Sequence, residues 1–568
     1  MRRSRLSIVA AVAAVGLLSG VLALVGAAPA SAVADKGIYN PLPKPQRIMD
    51  TRIDGLGFGT NACVGPGGQE IQVTGPIQHT SDSGSDFSGT DVIPLAANAA
   101  SVVLNVTVVN PNAQGWLTVW SGAGSTPTAS SLNFVSGDIV PNSVIARLND
   151  EAGKVGKIKV VAPFGCPDVV IDVVGWFSAA PLTDVLRPDP GGFRASTSAT
   201  PRIMDTRPQE LPTVNDGCLA AAATKDLDVT NEGGIPATGV KAVALNVTVV
   251  NPTGPGWLTV YPTPVNVAEG PQQGTSNLNF KSGQVVPNMV VVQVGFQDKI
   301  RFAATGGGCP NIVVDVIGWF QTGTQDVQTF EGLVPKRLMD TRPGQPAEPG
   351  NPGAPCVSST RALQVAGRGG VPAVGDSKPP MAVALNVTAV NASTAGDGYV
   401  TVWPTGATQP FTSNLNYKGG AGAVPNMVIT KVGPDGKVNF FASEGCPDIV
   451  VDVVGWWAAP EADLTATAPA TFTLSGTGTE TATQTVTVTN NSDFTDTAVP
   501  AVTKGGANAS QFVVSENTCT AALGAHLTCT FKVKWVVGDP KADAAATFKV
   551  TGGLDDSGDI ALTGDYTA

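Results

Sequence analysis

The sequence predicts an all-β protein: three tandem homologous domains of β-sandwich or jelly-roll type, followed by an immunoglobulin-like β-sandwich. Three observations support this fold class. One long block of sequence occurs three times. Apolar residues alternate with a period of two inside that block, which is typical of strands with two different faces. Glycine and proline are abundant, with 66 and 44 of the 568 residues, as expected for short strands joined by tight turns.

Each copy of the block has an opening and a closing motif. The opening motif reads RIMDTR, RIMDTR and RLMDTR, and the closing motif reads CPDVVIDVVGWF, CPNIVVDVIGWF and CPDIVVDVVGWW. A period this long indicates repeated whole domains, because solenoid units have about 20 to 50 residues and do not fold alone. The short links between the copies predict domains that sit close together with limited swing. The predicted domains are residues 35–179, 189–322 and 327–459, and a fourth domain covers 461–568.

The first copy shows the expected strands. With one strand near RIMDTR, the pattern gives about seven or eight strands per copy, the number of an antiparallel sandwich or jelly roll. The alternative is that each copy forms two blades of a β-propeller. A Pro141-Asn142 turn is expected before the fourth of the segments that follow. These predicted strands are Val102–Val109, Gly115–Trp120, Ser131–Phe134, Ser143–Leu148, Lys157–Val161 and Val169–Phe177.

The cysteines fall into pairs, two in each copy and two in the fourth domain. A domain that folds on its own must find each cysteine's partner within itself, which reduces the many possible pairings to one. A zinc site is disfavoured, since the sequence has no CxxC and only two histidines. The predicted disulfides are Cys63–Cys166, Cys218–Cys309, Cys356–Cys446 and Cys519–Cys529.

Residues 1–34 have the pattern of a secretory signal peptide. Basic residues precede the apolar run Leu6–Ala28, and Ala30-Ser31-Ala32 supplies the small residues of a cleavage site. The run is long enough to span a bilayer, so an uncleaved anchor is the alternative. The net charge is −11, and lysine and arginine form no cluster outside the signal segment. Nucleic acid is therefore excluded as a partner, and a secreted or cell-surface protein is expected.

The fourth domain begins with threonine-rich alternation, as in Thr481–Asn490 (TATQTVTVTN). Its run Cys519…Leu523-Gly524…Leu527-Thr528-Cys529 resembles the immunoglobulin-like module of the ASPM and Hydin family, which also occurs in bacterial "choice-of-anchor" surface proteins. The resemblance implies a spacer or an envelope-facing module. The triple repeat, with its DTR, LNVTV, PN and DVVGWF motifs, resembles a β module of secreted actinobacterial surface and cell-wall-associated proteins. That likeness supports an extracellular compartment.

One strand in each copy carries aromatic residues at alternate positions. If the aliphatic residues between them face the core, the aromatic face is exposed, and its two rings lie about 13 Å apart. Sugars stack on such rings, and an exposed aromatic patch generally marks a binding surface. Alternatively the aromatic face is itself the core, because tryptophan buries a large area. The residues are Trp116, Thr118 and Trp120, then Trp257, Thr259 and Tyr261, then Tyr399, Thr401 and Trp403. The pairs Trp176-Phe177, Trp319-Phe320 and Trp456-Trp457 are expected in the core.

The motif aspartates lie beside arginines or between valines. A buried carboxylate must be paired or hydrogen-bonded, so we expect a structural polar network in each copy. A binding site built from the same groups is the alternative, and a glycosidase using the pair Asp50 and Asp172 or its counterparts stays formally open. The network residues are Arg47, Asp50, Arg52, Asn105 and Asp172, then Arg202, Asp205, Arg207, Asn246 and Asp315, then Arg337, Asp340, Arg342, Asn386 and Asp452.

The sequence predicts no enzyme. Histidine is the residue that acid-base and nucleophilic mechanisms use most, yet His79 and His526 are the only two and neither recurs between copies. No cofactor or metal is expected, because the possible calcium loop Asp82–Asp86 occurs in one copy only and is interpreted as a polar loop. The Asn-x-Thr matches at Asn105, Asn246 and Asn386 fall inside strands and are expected as strand residues, not glycan acceptors.

These patterns together predict a secreted, non-enzymatic surface protein. The preferred partner is an envelope or extracellular polysaccharide, bound weakly at three places and strengthened by avidity. The main alternative is a structural protein, a stalk, coat or assembly subunit, whose repeats pack on each other around a pseudo-threefold axis. Exposure of the aromatic faces discriminates between the two.

Overall fold

In the computed structural model of the chain, the described residues form 33 β-strands and two short 3₁₀ helices, joined by turns and loops. The predicted signal segment 1–34, the loop Asp82–Asp86 and both histidines lie outside those residues. The described residues are 37–52, 63–75, 93, 99–178, 191–196, 198, 200–208, 217–266, 275–322, 328–345, 356–376, 378–392, 396–420, 422–458, 464–491, 499–524, 527–552, 557 and 559–567. We call residues 37–178, 191–322 and 328–458 modules 1, 2 and 3.

Module 1 consists of two facing antiparallel sheets of four strands. The first sheet has the order β1-β8-β3-β6 and the second has the order β2-β7-β4-β5. This is the strand order of a jelly roll, which confirms the predicted fold class. The strands are β1 (Tyr39–Asp50), β2 (Gln69–Gln72), β3 (Ala99–Val109), β4 (Gly115–Trp120), β5 (Leu132–Phe134), β6 (Ile139–Arg147), β7 (Lys157–Val161) and β8 (Asp168–Ser178).

Module 2 repeats this order. Two short strands, β9 (Gly191–Ala195) and β10 (Arg202–Asp205), take the place of β1 and both pair with β17. Strand β9 also pairs with β1, so the first sheets of modules 1 and 2 are continuous and form one nine-stranded sheet. A 3₁₀ helix, Phe296–Asp298, precedes β16. The other strands are β11 (Thr224–Asp228), β12 (Val240–Val250), β13 (Gly256–Pro262), β14 (Leu278–Phe280), β15 (Val285–Gln293), β16 (Lys299–Gly306) and β17 (Asn311–Thr322).

Module 3 has the sheets β18-β25-β20-β23 and β19-β24-β21-β22, again in jelly-roll order. Its strands are β18 (Thr329–Asp340), β19 (Arg361–Gln364), β20 (Pro380–Val390), β21 (Gly398–Pro404), β22 (Leu415–Tyr417), β23 (Val424–Lys431), β24 (Lys437–Ala442) and β25 (Asp448–Ala458).

Each module has its own apolar core between its two sheets. In module 1 the core includes Ile71, Leu104, Leu117 and Ile158, which come from strands of both sheets. Alternation explains this, because every second side chain of a strand points to the same face. The cores of modules 2 and 3 are built from the corresponding strands.

The turn predicted at Pro141-Asn142 is not found, because both residues lie inside β6. Strand β6 pairs with β3 and forms the edge of the first sheet, where Pro141 faces Thr107. An edge strand tolerates proline because one side of its backbone needs no ladder hydrogen bond. Asn142 therefore keeps an extended backbone, and its side chain is free to bond elsewhere.

The outer faces of the three first sheets pack against one another in a shared core. Equivalent residues of the three modules occupy it, for example Val103, Ala244 and Ala384. Its centre is a closed cluster of aromatic rings. Contacts between modules have ring centroids 4.3–6.3 Å apart, and contacts within a module have centroids 4.7–5.2 Å apart. The rings are those of Tyr39, Phe177, Phe193, Phe320, Phe330 and Trp457.

A cyclic set of asparagine hydrogen bonds joins the modules. Where modules 3 and 1 meet, Asn386 Nδ2 donates to the carbonyl of Ser130, and Asn142 Nδ2 donates to Asn386 Oδ1 at 3.1 Å. The backbone N–H of Met427 donates to Asn142 Oδ1 at 3.2 Å. The same three bonds recur between modules 1 and 2 and between modules 2 and 3. They use Asn105, Ser276, Asn288 and Ser143 in the first case and Asn246, Ser413, Asn426 and Met289 in the second.

The backbone also closes the arrangement near the aromatic cluster. The N–H of Phe330 donates to the carbonyl of Gly37 at 2.9 Å, the N–H of Phe193 donates to the carbonyl of Gln328, and Tyr39 pairs with Gly191. Module 3 thus contacts module 1 as well as module 2. The three modules form a closed ring with approximate threefold symmetry, a tighter arrangement than the close spacing with limited swing that the short links predict.

The fourth domain is a separate sandwich with its own core, which includes Phe531 and Trp535. Its sheets have the orders β26-β28-β31-β30 and β27-β33-β32-β29, with β27 parallel to β33. This order is that of an immunoglobulin-like sandwich, as predicted. The strands are β26 (Leu464–Ala466), β27 (Phe472–Ser475), β28 (Gln484–Asn490), β29 (Ala501–Gly505), β30 (Phe512–Ser515), β31 (Thr528–Trp535), β32 (Ala544–Thr551) and β33 (Ile560–Thr567); a 3₁₀ helix, Ala509–Gln511, precedes β30.

Four disulfides link the pairs that the sequence predicts. Each of the first three closes one module, with sequence separations of 103, 91 and 90 residues, and the fourth closes a short loop of the immunoglobulin-like domain. Cross-links over such long loops restrict the unfolded chain strongly. They join Cys63–Cys166, Cys218–Cys309, Cys356–Cys446 and Cys519–Cys529.

Candidate functional site

The aromatic strands lie on the outer faces of the second sheets, away from the shared core. In module 1, Leu117 and Val119 point into the module core, and Trp116, Thr118 and Trp120 point outward. The strand alternation is therefore as predicted. Exposure differs along each strand, because the first aromatic ring is accessible and the second is not.

The first ring of each strand reaches solvent. Trp257 and Tyr399 are 36% and 38% exposed, and Trp116 is partly exposed. Trp116 makes an edge contact with the exposed Phe164, with ring centroids 5.4 Å apart. The ring of Tyr399 is tilted against that of Phe441, with centroids 6.3 Å apart. Each module therefore presents one accessible ring at the same strand position.

The threonine in the middle of each strand is buried and does not face a ligand. Thr118 Oγ1 donates a hydrogen bond to the carbonyl of Ala129 at 2.8 Å, within the segment that connects β4 to β5. Thr259 and Thr401 make the same bond, to Thr275 and Thr412 at 2.7 Å. These bonds fold the connecting segment back over the outer face, so the threonines have a structural role.

The second ring of each strand is covered, in contrast to the expected exposed pair of rings. Trp120, Tyr261 and Trp403 are 1%, 6% and 5% exposed. The Lys159 ammonium lies 5.8 Å from the Trp120 ring centroid, and Trp403 Nε1 donates to the carbonyl of Ala407. A platform of two rings about 13 Å apart is therefore absent from these strands.

The motif arginines and aspartates form one ion cluster per module. In module 1, Arg47 bonds both carboxylate oxygens of Asp172 at 2.9 and 3.3 Å and one oxygen of Asp50 at 3.1 Å. Arg52 bonds Asp50 through two guanidinium nitrogens, at 2.9 and 2.7 Å. Modules 2 and 3 repeat the cluster with Arg202, Asp205, Arg207 and Asp315 and with Arg337, Asp340, Arg342 and Asp452.

The asparagines expected in this network have other partners. Asn105 faces Asp172 across the ladder. Its described side-chain bonds, however, go to Ser276 and Asn288 of module 2. Asn246 and Asn386 behave in the same way and cross to the next module. They are buried strand residues. Asn142, Asn288 and Asn426 also take part in these bonds and were not predicted to do so, although each follows a proline at the same place in its copy.

The two aspartates of each cluster have opposite electrostatics. Burial acts to raise the pKa of Asp50, but the hydrogen bonds and charges of Arg52 and Arg47 outweigh it and lower that pKa below its ordinary value. Burial raises the pKa of Asp172 above its ordinary value, against the charge and hydrogen bonds of Arg47. Both carboxylates are buried against arginines, so neither faces a cleft that admits a substrate.

Aromatic pairs at the ends of the closing motifs pack in or against the cores, as predicted, and all of them except the partly buried Trp319 are buried. Trp176 lies in the core of module 1, and its neighbour Phe177 lies in the shared core. Trp319 packs against the core of module 2 and Phe320 lies in the shared core. Trp456 and Trp457 divide in the same way in module 3. Alternation sends the two residues of each pair to opposite faces of the first sheet.

The described residues contain neither a metal-binding cluster nor a membrane-spanning helix. No group of three histidine, cysteine, aspartate or glutamate side chains there is arranged to hold a metal ion. The same part of the chain contains no helix with the length and apolarity needed to cross a bilayer.

Comparisons with known proteins do not show a family for this chain. No protein-family model matches the sequence, and no curated protein is similar to it. One similar solved structure is described as "The Triple Jelly Roll Fold and Turret Assembly in an Archaeal Virus"; the match covers 71% of this chain and 92% of that chain. The sequence identity is 10% and the TM-score is 0.15. A similarity this weak carries no argument, and the jelly-roll order of the modules rests on their own strand pairing.

Proposed function

We propose that this chain is an extracellular, non-enzymatic protein that binds an envelope or extracellular polysaccharide through the rings of Trp116, Trp257 and Tyr399. One observation carries the proposal: the same strand position holds an accessible aromatic ring in all three modules, although the rest of that strand face is covered. An aromatic ring left in solvent loses the burial that usually stabilises it. A sugar ring stacked on it restores that burial.

The closed ring of modules favours multivalent binding. A single aromatic contact with a sugar is weak. Three contacts held by one rigid body act together, because the second and third contacts occur at a high effective concentration. A polysaccharide offers the repeated units that such an arrangement requires.

The proposed compartment is extracellular. The four disulfides fit an oxidising environment, and residues 1–34 have the pattern of a secretory signal. In this proposal the immunoglobulin-like domain is a spacer or an envelope-facing module, as its resemblance to the ASPM and Hydin family implies.

The binding proposal is tested by cosedimentation of the mature protein with insoluble cell-wall polysaccharide and by a glycan panel. The triple variant W116A/W257A/Y399A is expected to lose most of the binding, since each stacking contact contributes about 1 kcal/mol and avidity multiplies the loss. The matched control is F296A/F411A, which removes two exposed aromatic rings that lie outside these strands. Equal binding by wild type and triple variant contradicts the proposal.

A structural role is the second candidate, and the shared core favours it. Strong packing of the modules on each other is what a stalk, coat or assembly subunit requires. The test is electron microscopy and sedimentation of the mature protein. Ordered higher assemblies that persist in W116A/W257A/Y399A support the structural role, and a monomer at all concentrations counts against it.

A further inference from the structure

Each accessible ring has an asparagine opposite it on the neighbouring strand. Trp116 pairs with Asn133, Trp257 with Asn279 and Tyr399 with Asn416. Residues directly opposite in an antiparallel pair lie on the same face with Cβ atoms about 5 Å apart. The asparagine side chains therefore flank the rings on the outer face of the second sheet.

A serine fixes the orientation of each of these asparagines. Ser130 Oγ donates to Asn133 Oδ1, Ser276 Oγ donates to Asn279 Oδ1, and Ser413 Oγ donates to Asn416 Oδ1, each at 3.0 Å. The bond occupies the carbonyl oxygen of the amide and directs the Nδ2 group away from the serine. An amide so held offers two N–H donors beside an aromatic face.

The same serines are the points at which neighbouring modules are joined. The carbonyl of Ser130 in module 1 accepts from Asn386 of module 3. The carbonyl of Ser276 accepts from Asn105 of module 1, and that of Ser413 accepts from Asn246 of module 2. Each set consists of an aromatic ring, the asparagine opposite it and the serine bonded to that asparagine. The neighbouring module therefore helps to position the serine of each set.

We propose that these sets are three sugar subsites, each taking one hexopyranose unit of a neutral polymer. The inference rests on the proposed polysaccharide binding and adds new binding residues to it. The aromatic ring stacks on the apolar face of the sugar, and Asn133, Asn279 or Asn416 donates to a sugar hydroxyl. Closure of the ring of modules completes each subsite, so module association and sugar binding are coupled.

The test uses full-length protein with one subsite left active. The variant W257A/Y399A retains Trp116, and W116A/Y399A retains Trp257. Binding of cellohexaose, chitohexaose and mannohexaose is measured by calorimetry. In the first background N133L is expected to weaken binding about three- to tenfold, the effect of one lost hydrogen bond. Folding of every variant is checked by circular dichroism and thermal unfolding.

A crossed pair of substitutions tests the coupling. N386A releases Ser130 and is expected to weaken the Trp116 subsite more than the Trp257 subsite. N105A releases Ser276 and is expected to have the opposite preference. Equal effects of each variant on both subsites overturn the coupling and indicate a general loss of stability.

The outcomes separate this inference from the function on which it rests. If wild-type protein binds none of the three hexasaccharides, or W116A/W257A/Y399A binds them as wild type does, the proposed binding of neutral polysaccharide through these rings is wrong. If the ring variant loses binding but N133L does not weaken the Trp116 subsite, the rings bind sugar and the asparagine subsite is overturned.

Discussion

At the scale of single residues, the buried charged side chains matter most for the stability of this protein. Asp50 is almost fully buried yet ionised, because Arg52 and Arg47 surround it with donors. Two buried carboxylates, Asp50 and Asp172, share Arg47. Removing one partner of such a cluster leaves an uncompensated buried charge, which costs more than the pair contributes. The ion clusters therefore stabilise the pairing of the strand that carries the opening motif with the strand that carries the closing motif.

The substitution D50N is expected to lower the free energy of unfolding by about 2 kcal/mol at pH 7, less than for a fully buried pair because the arginines keep some solvent contact. The pKa of Asp50 is lowered in the folded state, so its contribution is complete above about pH 4, the ordinary value for a carboxyl group, and disappears as the pH falls through the folded pKa. Urea unfolding at pH 7 and pH 3 measures this.

The control is D150N, because Asp150 forms an exposed ion pair with Arg147 at 2.6 Å and such pairs contribute little. A deficit of D50N that is as large at pH 3 as at pH 7 contradicts this account of Asp50.

Among the secondary-structure elements, β6 and its counterparts β15 and β23 join the modules. Each is the edge strand of a first sheet, and each carries one asparagine after proline that bonds a neighbouring module. Buried amides with several partners specify one arrangement, because any other register leaves them unsatisfied. The proline keeps this edge from pairing with further strands.

The substitution N142A is expected to destabilise the ring of modules by about 3 kcal/mol, since it leaves Met427 N–H and Asn386 Oδ1 without their partner. N288A and N426A are expected to behave alike because the three interfaces are equivalent. Thermal unfolding measures the effect, with N112A at an exposed loop position as the control. If N142A loses no more thermal stability than N112A does, the proposed role of the asparagine bonds is wrong.

The sequence was sufficient for most strands, because alternation is a local property. The predicted strand Lys157–Val161 has the same bounds as β7. The ring of modules was not predictable in the same way. The near-continuous apolar run of β8 indicates a strand buried on both faces, but it does not say which surface covers the second face. That partner is another module: the ring of Phe177 in β8 stacks on that of Phe330 in module 3, with centroids 4.3 Å apart, although the two residues are more than 100 positions apart in the sequence.

The candidate site was predictable in part for a similar reason. Alternation placed Trp116 and Trp120 on one face, and both do point outward from the core. The burial of the second ring also depends on the path of the segment that follows the strand, as the bond from Trp403 Nε1 to the carbonyl of Ala407 shows. That path is set by side-chain hydrogen bonds such as the one from Thr118 to Ala129, which residue spacing does not reveal.

As a whole molecule, the chain forms from three modules of one polypeptide a ring of the kind that oligomers form from separate subunits. Equivalent surfaces meet between modules 1 and 2, 2 and 3, and 3 and 1, as in a cyclic trimer with heterologous contacts. Residues 34–568 form one compact unit. The third interface has no covalent link of its own. Module 3 is held against module 1 by the shared core, the asparagine bonds, the backbone bond from Phe330 to Gly37 and the bond from Arg337 to Thr128.

The most direct test of the closed ring is the set of three distances between modules. Spin labels are placed in pairs on the equivalent turns between β5 and β6, β14 and β15, and β22 and β23, at Ser136, Ser282 and Lys418, and measured by double electron–electron resonance; all eight native cysteines are paired in disulfides. The closed ring predicts three similar, narrow distance distributions. A distance between Ser136 and Lys418 that is clearly longer and broader than the other two contradicts it, because modules 1 and 3 would then not be in contact.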